Sequence, residues 1–270
     1  DVASDLQTVT INDGPPPTGG DTLSLEVDDD ALPDGNNDTS PDEFASGTLT
    51  FTAGSDALTS FVFGDVTSLG GGLTWVRVDN DTITGSDGGT LVVTLQLTAP
   101  ASLAAGATGD VTVTATLANN YDSHPTFTAD DLQALGSVTV IAADQDGETA
   151  TGTVSLSVSD DVPILSVSGD TSVTEGLTAT GTWSQSIGAD QPGAVTVVVF
   201  NAVEYALGTP IATGKGTLTV AADGTWSFVS NNNLDQDVPQ SISFTVKVTD
   251  ADGDVASDLQ TVTINDGPPP

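Results

Sequence analysis

The sequence has no cysteine, no methionine, a single histidine and only three basic residues among 270. Without cysteine there is no disulfide framework, no thiolate zinc site and no thiol chemistry, so another kind of staple is needed. With Arg77, Lys215 and Lys247 as the only basic side chains, phosphate backbones and anionic bilayers would be repelled, which argues against nucleic acid or direct membrane contact. No apolar run reaches the roughly 18 residues that a spanning helix needs, and no basic start precedes an apolar stretch. The segment is therefore expected to be soluble.

Acid, by contrast, is abundant. Thirty-eight Asp and Glu set a formal net charge of −35, a self-repulsion that opposes compaction unless multivalent cations neutralise it. Hydrophobic residues still make up 37% of the chain, enough to build real cores. Thr and Val dominate, apolar and polar residues alternate, and turn residues interrupt the pattern at short intervals, all of which point to sheet.

The ends of the chain carry the same seventeen residues. DVASDLQTVTINDGPPP runs from Asp1 to Pro17 and again from Asp254 to Pro270, 253 positions on. Identity of that length implies a tandem array, of which this chain is expected to hold one period plus the tail of the preceding unit. A weaker repeat lies inside the period: DQDGETATGTVSLSVSDD from Asp144 aligns without gaps to DADGDVASDLQTVTINDG from Asp250, 106 positions on. The expected division is therefore a closing strand and linker over 1–17, a longer domain over 18–161 and a shorter one over 162–270.

The expected fold is all-β, two tandem immunoglobulin-like (cadherin-like) sandwiches. Strand patterns occur at 22–27, 47–52, 73–78, 91–98, 110–117, 138–142 and 149–158 in the first domain, with one short helix over 129–135 capped by Thr128. In the second they occur at 163–167, 179–184, 195–200, 204–206, 217–220, 225–229, 241–248 and 255–264, with Asp223-Gly224 as a hairpin turn. In the closing strand Val255, Leu259, Val262 and Ile264 alternate with polar partners, interrupted over Ala256 to Asp258.

These residues resemble a known family. GTLTVAADGTWSF (216–228), followed by FTVKVTDADGD (244–254), is similar to repeats of large type I secreted RTX adhesins from marine and biofilm-forming bacteria. LPDGNNDTSPDEFASGTLTFTAGSDALTSFVFG (32–64) resembles the longer repeat that accompanies them. The resemblance implies an extender stalk of sandwich domains strung end to end, with calcium at the junctions, at the cell surface and anchored to the outer membrane through other parts of the protein. VTEGLTATGT (173–182) and TINDGPP also resemble the calcium-binding base and linker motifs of cadherins.

Calcium takes six to eight oxygens, so a site needs carboxylates from loops that can converge. In an immunoglobulin-like topology the loop before the last strand lies at the domain's N-terminal end, and the loop after the first strand lies at its C-terminal end. That geometry groups Asp28, Asp29 and Asp30 with Asp160, Asp161, Asp250, Asp252 and Asp254 as the main expected calcium site. It groups Asp144, Asp146 and Glu148 with Asn12 and Asp13 at an upstream site. A third, partial site would use Glu175 with Asn265 and Asp266, completed by the next repeat. The bland reading of each loop is a solvated turn, which Asp and Gly also favour. Recurrence at the 106-residue offset favours the metal. These are not EF-hands, because the twelfth positions from Asp144 and Asp250 are Ser155 and Thr261 rather than Glu.

No enzyme is expected. His124, in the turn-like YDSHP, has neither a nucleophile nor an oxyanion arrangement suggested around it. GTPIATGKG (208–216) fails the phosphate-loop pattern in its glycine spacing and in Gly216. Trp75, Trp183 and Trp226 could form a carbohydrate platform, which keeps a ligand-binding module of the same adhesin as the alternative, although such residues are usually core. The expected partners are neighbouring repeats of the same chain, with the protein itself a monomer and no small-molecule substrate.

Overall fold

A computed structural model describes residues 4–10, 14–121, 132–191, 193–232, 234–235, 238 and 240–267. The chain forms two compact units. One comprises 1–27, 42–119 and 132–158, and the other 28–41, 120–131 and 159–270.

The first unit contains β1 (Thr22–Asp28), β2 (Phe44–Thr52), β3 (Leu58–Phe63), β4 (Thr74–Arg77), β5 (Thr82–Asp87), β6 (Thr90–Thr98), β7 (Thr108–Leu117), β8 (Leu132–Asp144) and β9 (Thr149–Ser159). They form two sheets, ordered β1-β9-β8-β3 and β2-β7-β6-β5-β4. Inward positions carry Leu49, Phe51, Phe63, Ile83, Leu95, Val111, Val113, Val140 and Val154, all fully buried or nearly so. Outward positions of the larger sheet are a threonine array, with Thr48 opposite Thr112, Thr52 opposite Thr108, Thr94 opposite Thr116 and Thr84 opposite Thr94. Threonine supplies β-branching and a polar face without adding to the charge repulsion.

The expected helix over 129–135 is corrected. Residues 132–135 begin β8, and 128–131 lie outside the described residues. A helix would bury Leu132 and Leu135 on one face, whereas Leu132 is 50% exposed and Leu135 is buried. The β-branched run SVTVI that follows extends the strand backwards. β3 and β5 were not legible from pattern, β5 because its Gly, Ser and Asp content reads as turn.

The second unit contains β10 (Ile164–Gly169), β11 (Ser172–Thr174), β12 (Thr178–Ser186), β13 (Val195–Phe200), β14 (Val203–Ala206), β15 (Ile211–Ala212), β16 (Gly216–Val220), β17 (Thr225–Ser230), β18 (Gln240–Thr249) and β19 (Val255–Asn265). Its sheets are β10-β12-β17-β16-β15 and β11-β19-β18-β13-β14. The first strands divide between the two sheets, and β11 pairs parallel to the last strand, β19. That arrangement defines an immunoglobulin-type sandwich. Trp226 is 2% exposed, packs edge-on against Phe244, and lies in a core with Trp183, Leu218, Phe228, Val246 and Val262.

β19 faces differently from its apparent alternation. It pairs with β18 from Val255 to Ile264 without a register shift, so inward positions fall at every second residue: Ala256, Asp258, Gln260, Val262 and Ile264. Leu259 is consequently 61% exposed. The inward polar groups meet β10 and its end: Asp258 Oδ2 accepts from Val167 N at 2.7 Å, and Gln260 Nε2 donates to Asp170 O at 3.0 Å. They satisfy backbone groups that a single apolar stripe would leave unpaired.

The β13–β14 hairpin turns on Asn201 and Ala202, both at positive φ (51° and 61°). Asparagine tolerates the left-handed region but alanine does not. Ala202→Gly should therefore stabilise the second unit by about 1 kcal/mol, read as a rise in the urea midpoint at constant slope. An unchanged or lower midpoint would show the turn to be unstrained.

Candidate metal centre

The site builds up from one short loop. β1 runs directly into a 3-10 turn, Asp29–Ala31, that Asp28 caps by accepting from Asp30 N. The chain then folds back on itself, with Gly35 N donating to Leu32 O and Asn37 N to Asp30 O. A Cβ on Gly35 would sit 2.2 Å from Asp30 O, so only glycine permits the fold. The loop holds Asp29 inward, with no exposure, and its Oδ2 accepts from Tyr121 N at 3.1 Å.

Three other stretches of the second unit converge on it. Asp160 follows β9, Asp190 lies in the turn after β12, and Asp250, Asp252 and Asp254 form the β18–β19 turn. In that turn Asp250 Oδ1 accepts from Gly253 N and Asp254 N at 3.1 and 2.7 Å, which aims the carboxylates inward together. The outcome is three overlapping sets, Asp29/Asp160/Asp190, Asp160/Asp252/Asp254 and Asp190/Asp250/Asp252, each with one carboxylate oxygen per residue within 4.8 Å of the others. Ligands of one calcium ion at 2.3–2.6 Å lie no further apart than roughly 5 Å. Asp160, Asp190 and Asp252 each belong to two sets and could bridge ions.

Burial makes the cluster costly without a cation. Asp29, Asp160, Asp190, Asp250 and Asp254 are each less than a tenth exposed, and Asp29 Oδ1 and Asp250 Oδ2 are buried with no hydrogen-bond partner. The three basic side chains are engaged elsewhere. Lys247 pairs with Glu204, Lys215 donates to Ser241 O, and Arg77 holds Asp79 O and Asn80. Buried carboxylates must then share protons or bind metal. In the metal-free protein, burial pushes Asp29 up to about 7 against the lowering hydrogen bond from Tyr121 N. Burial, followed by the Asp252 carboxyl, likewise raises Asp250 to about 7. Burial and the neighbouring charges of Asp29, Asp190, Asp252 and Asp254 raise Asp160 furthest.

The donor set is all oxygen, with no imidazole and no thiolate. Such a site suits a hard cation, and its irregular crowd of carboxylates suits calcium better than the strict octahedron of magnesium.

Of the residues expected from sequence at the main site, the structure brings together Asp29, Asp160, Asp250, Asp252 and Asp254. Asp28 and Asp30 lie outside the three sets. They line an adjacent cavity of about 270 Å³ with Asn36, Asp160 and Asp161. Asp161 is tied to backbone and amide donors instead, as described below. Asp190 was missed, since a single acid in SIGADQPG has no acidic neighbour and no counterpart in the repeat. Its carboxylate, 1% exposed and accepting from Asn120 Nδ2 at 3.2 Å, is placed here by the fold, which brings it within 4.8 Å of Asp29 and Asp160 and of Asp250 and Asp252.

Elsewhere, Asp144 repeats the Asp250 turn, its Oδ1 accepting from Gly147 N and Glu148 N at 3.0 and 2.8 Å. Asp146 and Glu148 share that turn. Asn12 and Asp13 lie outside the described residues, and no described set of three includes Asp144. Glu175 N donates to Asn265 O, and Glu175 Oε2 accepts from Leu234 N at 2.8 Å. Asp266 follows Asn265, but no described set of three includes either Glu175 or Asp266. His124 also lies outside the described residues. Trp183 and Trp226 are core, their indole N–H groups donating to Ala221 O and Ser168 O, while Trp75 is half-buried on β4.

No protein-family model matches the chain, and no curated protein matches it. Among solved structures, protocadherin PcdhgB3 EC1-4 is 13% identical with a TM-score of 0.30, covering 96% of this chain and 51% of that one. Drosophila N-cadherin EC1-4 is 14% identical with a TM-score of 0.29, covering 94% and 51%. Murine CEACAM1b is 13% identical with a TM-score of 0.24, covering 93% and 99%. The chain thus spans about half the length of the two cadherin chains. The fold is defined by the strand order of the sheets and by the parallel β11–β19 pair. Among the described residues no helix is long and apolar enough to cross a membrane.

Proposed function

We propose that the chain is a non-enzymatic structural repeat of an extracellular adhesin, and that the carboxylate cluster of its second unit is a calcium centre. The observation that carries the reading is the pair of buried, unpartnered oxygens, Asp29 Oδ1 and Asp250 Oδ2, inside overlapping sets of carboxylates. Calcium there joins four stretches of chain that would otherwise repel one another, and so converts a loose acidic hub into a fixed one. The finer reading is a stalk extender of an RTX, type I secreted adhesin, stiffened by calcium so that a distal ligand-binding region is held away from the cell for adhesion and biofilm formation. The internal repeats and the resemblance of 32–64 and 216–254 to such stalks support it. Neighbouring repeats of the same chain are its partners.

Calorimetric titration with calcium is the direct test. The protein should take up calcium and release protons, because ions displace those held by the raised carboxyl groups. Asp250→Asn, which removes a charge while keeping the turn acceptor, should weaken binding at least tenfold. Absence of binding at millimolar calcium would overturn the reading.

A further inference from the structure

Asp160 and Asp161 are adjacent, identical in type and both buried, yet the fold gives them different surroundings. Asp160 lies in two of the three carboxylate sets; Asp161 lies in none. Asp161, 2% exposed, has both its oxygens occupied by protein donors. Its Oδ2 accepts from Asn36 N at 2.8 Å and from Ala189 N at 2.9 Å, and its Oδ1 accepts from Asn36 Nδ2 at 2.8 Å. The same Asn36 amide also donates to Val162 O at 2.9 Å.

Those donors come from the two loops that deliver ligands. Asn36 ends the folded-back loop that begins with Asp29, and Ala189 immediately precedes Asp190. The fit leaves no slack at Gly188, which has φ +84° and where a Cβ would meet Asp161 Oδ2 at 2.2 Å and Asn36 Nδ2 at 2.8 Å. Gln191 closes the same turn, its N donating to Ala189 O and its Nε2 to Gly188 O.

We propose that Asp161 is a positioning residue rather than an ion ligand: with Asn36 it latches the Asp29 loop to the Asp190 turn and so presets the cage for the cation. The inference rests on the calcium reading above. Outer-shell groups that orient metal ligands characteristically change affinity by roughly 10–100-fold when removed. A ligand's loss removes an ion, whereas a latch's loss weakens every ion that the two loops share.

The test is calcium titration of the full chain, scored for both affinity and number of ions. Asp161→Asn replaces one acceptor oxygen with an NH2 group that faces the Asn36 amide, and should raise the calcium Kd about tenfold or more with the ion count unchanged. Asn36→Asp should weaken binding similarly, by placing carboxylate against carboxylate. The double variant Asp161→Asn/Asn36→Asp restores a donor–acceptor pair across the latch at unchanged total charge, and should recover part of the lost affinity. A purely structural defect would not be recovered by that exchange. Loss of an ion in Asp161→Asn would make Asp161 a ligand and overturn the proposal, as would an unchanged Kd or failure of the double variant to recover affinity. If the unaltered protein binds no calcium, the calcium reading fails instead, which the wild-type titration distinguishes.

Discussion

Millimolar calcium should raise the thermal unfolding midpoint of the second unit by about 6–12 °C. A ligand that binds only the folded state at a concentration one hundredfold above its Kd stabilises by about 3 kcal/mol, and each kcal/mol moves the midpoint of a domain this size by roughly 2–4 °C. More than one bound ion would add to the shift. The unfolded chain cannot compete, because the six carboxylates come from positions as far apart as Asp29 and Asp254 and meet only after folding. Scanning calorimetry with calcium and with chelator is the measurement, with magnesium as the comparison. Magnesium should shift the midpoint less, since it sheds water reluctantly and requires a regular octahedron. A midpoint unmoved by calcium would sink the assignment.

The second large effect is an inverted pH dependence in the calcium-free protein. Asp29 and Asp250 are each raised from 3.8 to about 7, so between those values the folded state binds more protons than the unfolded chain. The stability that these groups contribute is fully present below about pH 4 and is lost as pH rises through about 7. A shift of that size corresponds to roughly 4 kcal/mol for a single group, as an upper bound. Ordinary carboxyls have finished titrating by about pH 5.5, so a decline between pH 6 and 8 isolates the buried cluster from the general repulsion of a highly acidic chain. With saturating calcium the sign reverses, because protons then compete with the ion and stability rises with pH. Urea midpoints at pH 6 and pH 8, in chelator and in calcium, give all four corners. A calcium-free midpoint that is flat or rising over that interval would mean the cluster is neither protonated nor strained in the metal-free state.

Biologically, the pair of effects describes a module that is tolerant of acid and loosened by neutral, calcium-poor water. Without calcium at neutral pH the ionised carboxylates of the cluster repel one another, and bound calcium would neutralise them.

Much of this was written in linear order. Alternating Thr and Val dictated sandwiches because a pleated strand sends successive side chains to opposite faces, and the repeated DxDG turns marked carboxylates that face one way because the turn's own amides clasp the first aspartate. The positions of β12, β16, β17 and β18 follow from that pattern, and so do Asp250, Asp252 and Asp254. Tertiary structure decided the remainder. The same residues that form β19 at 255–265 occur near the start of the chain, where residues 4–10 carry no strand and Val9 is 77% exposed, against 0% for Val262. A strand's backbone is satisfied only by neighbours, and β18 and β11 supply them in one place alone. Likewise Asp160 and Asp161 cannot be told apart by type or spacing. One enters the cage and the other is saturated by Asn36 and Ala189, because the donors that separate them lie 125 and 28 residues away and are brought close only by the closing of the fold.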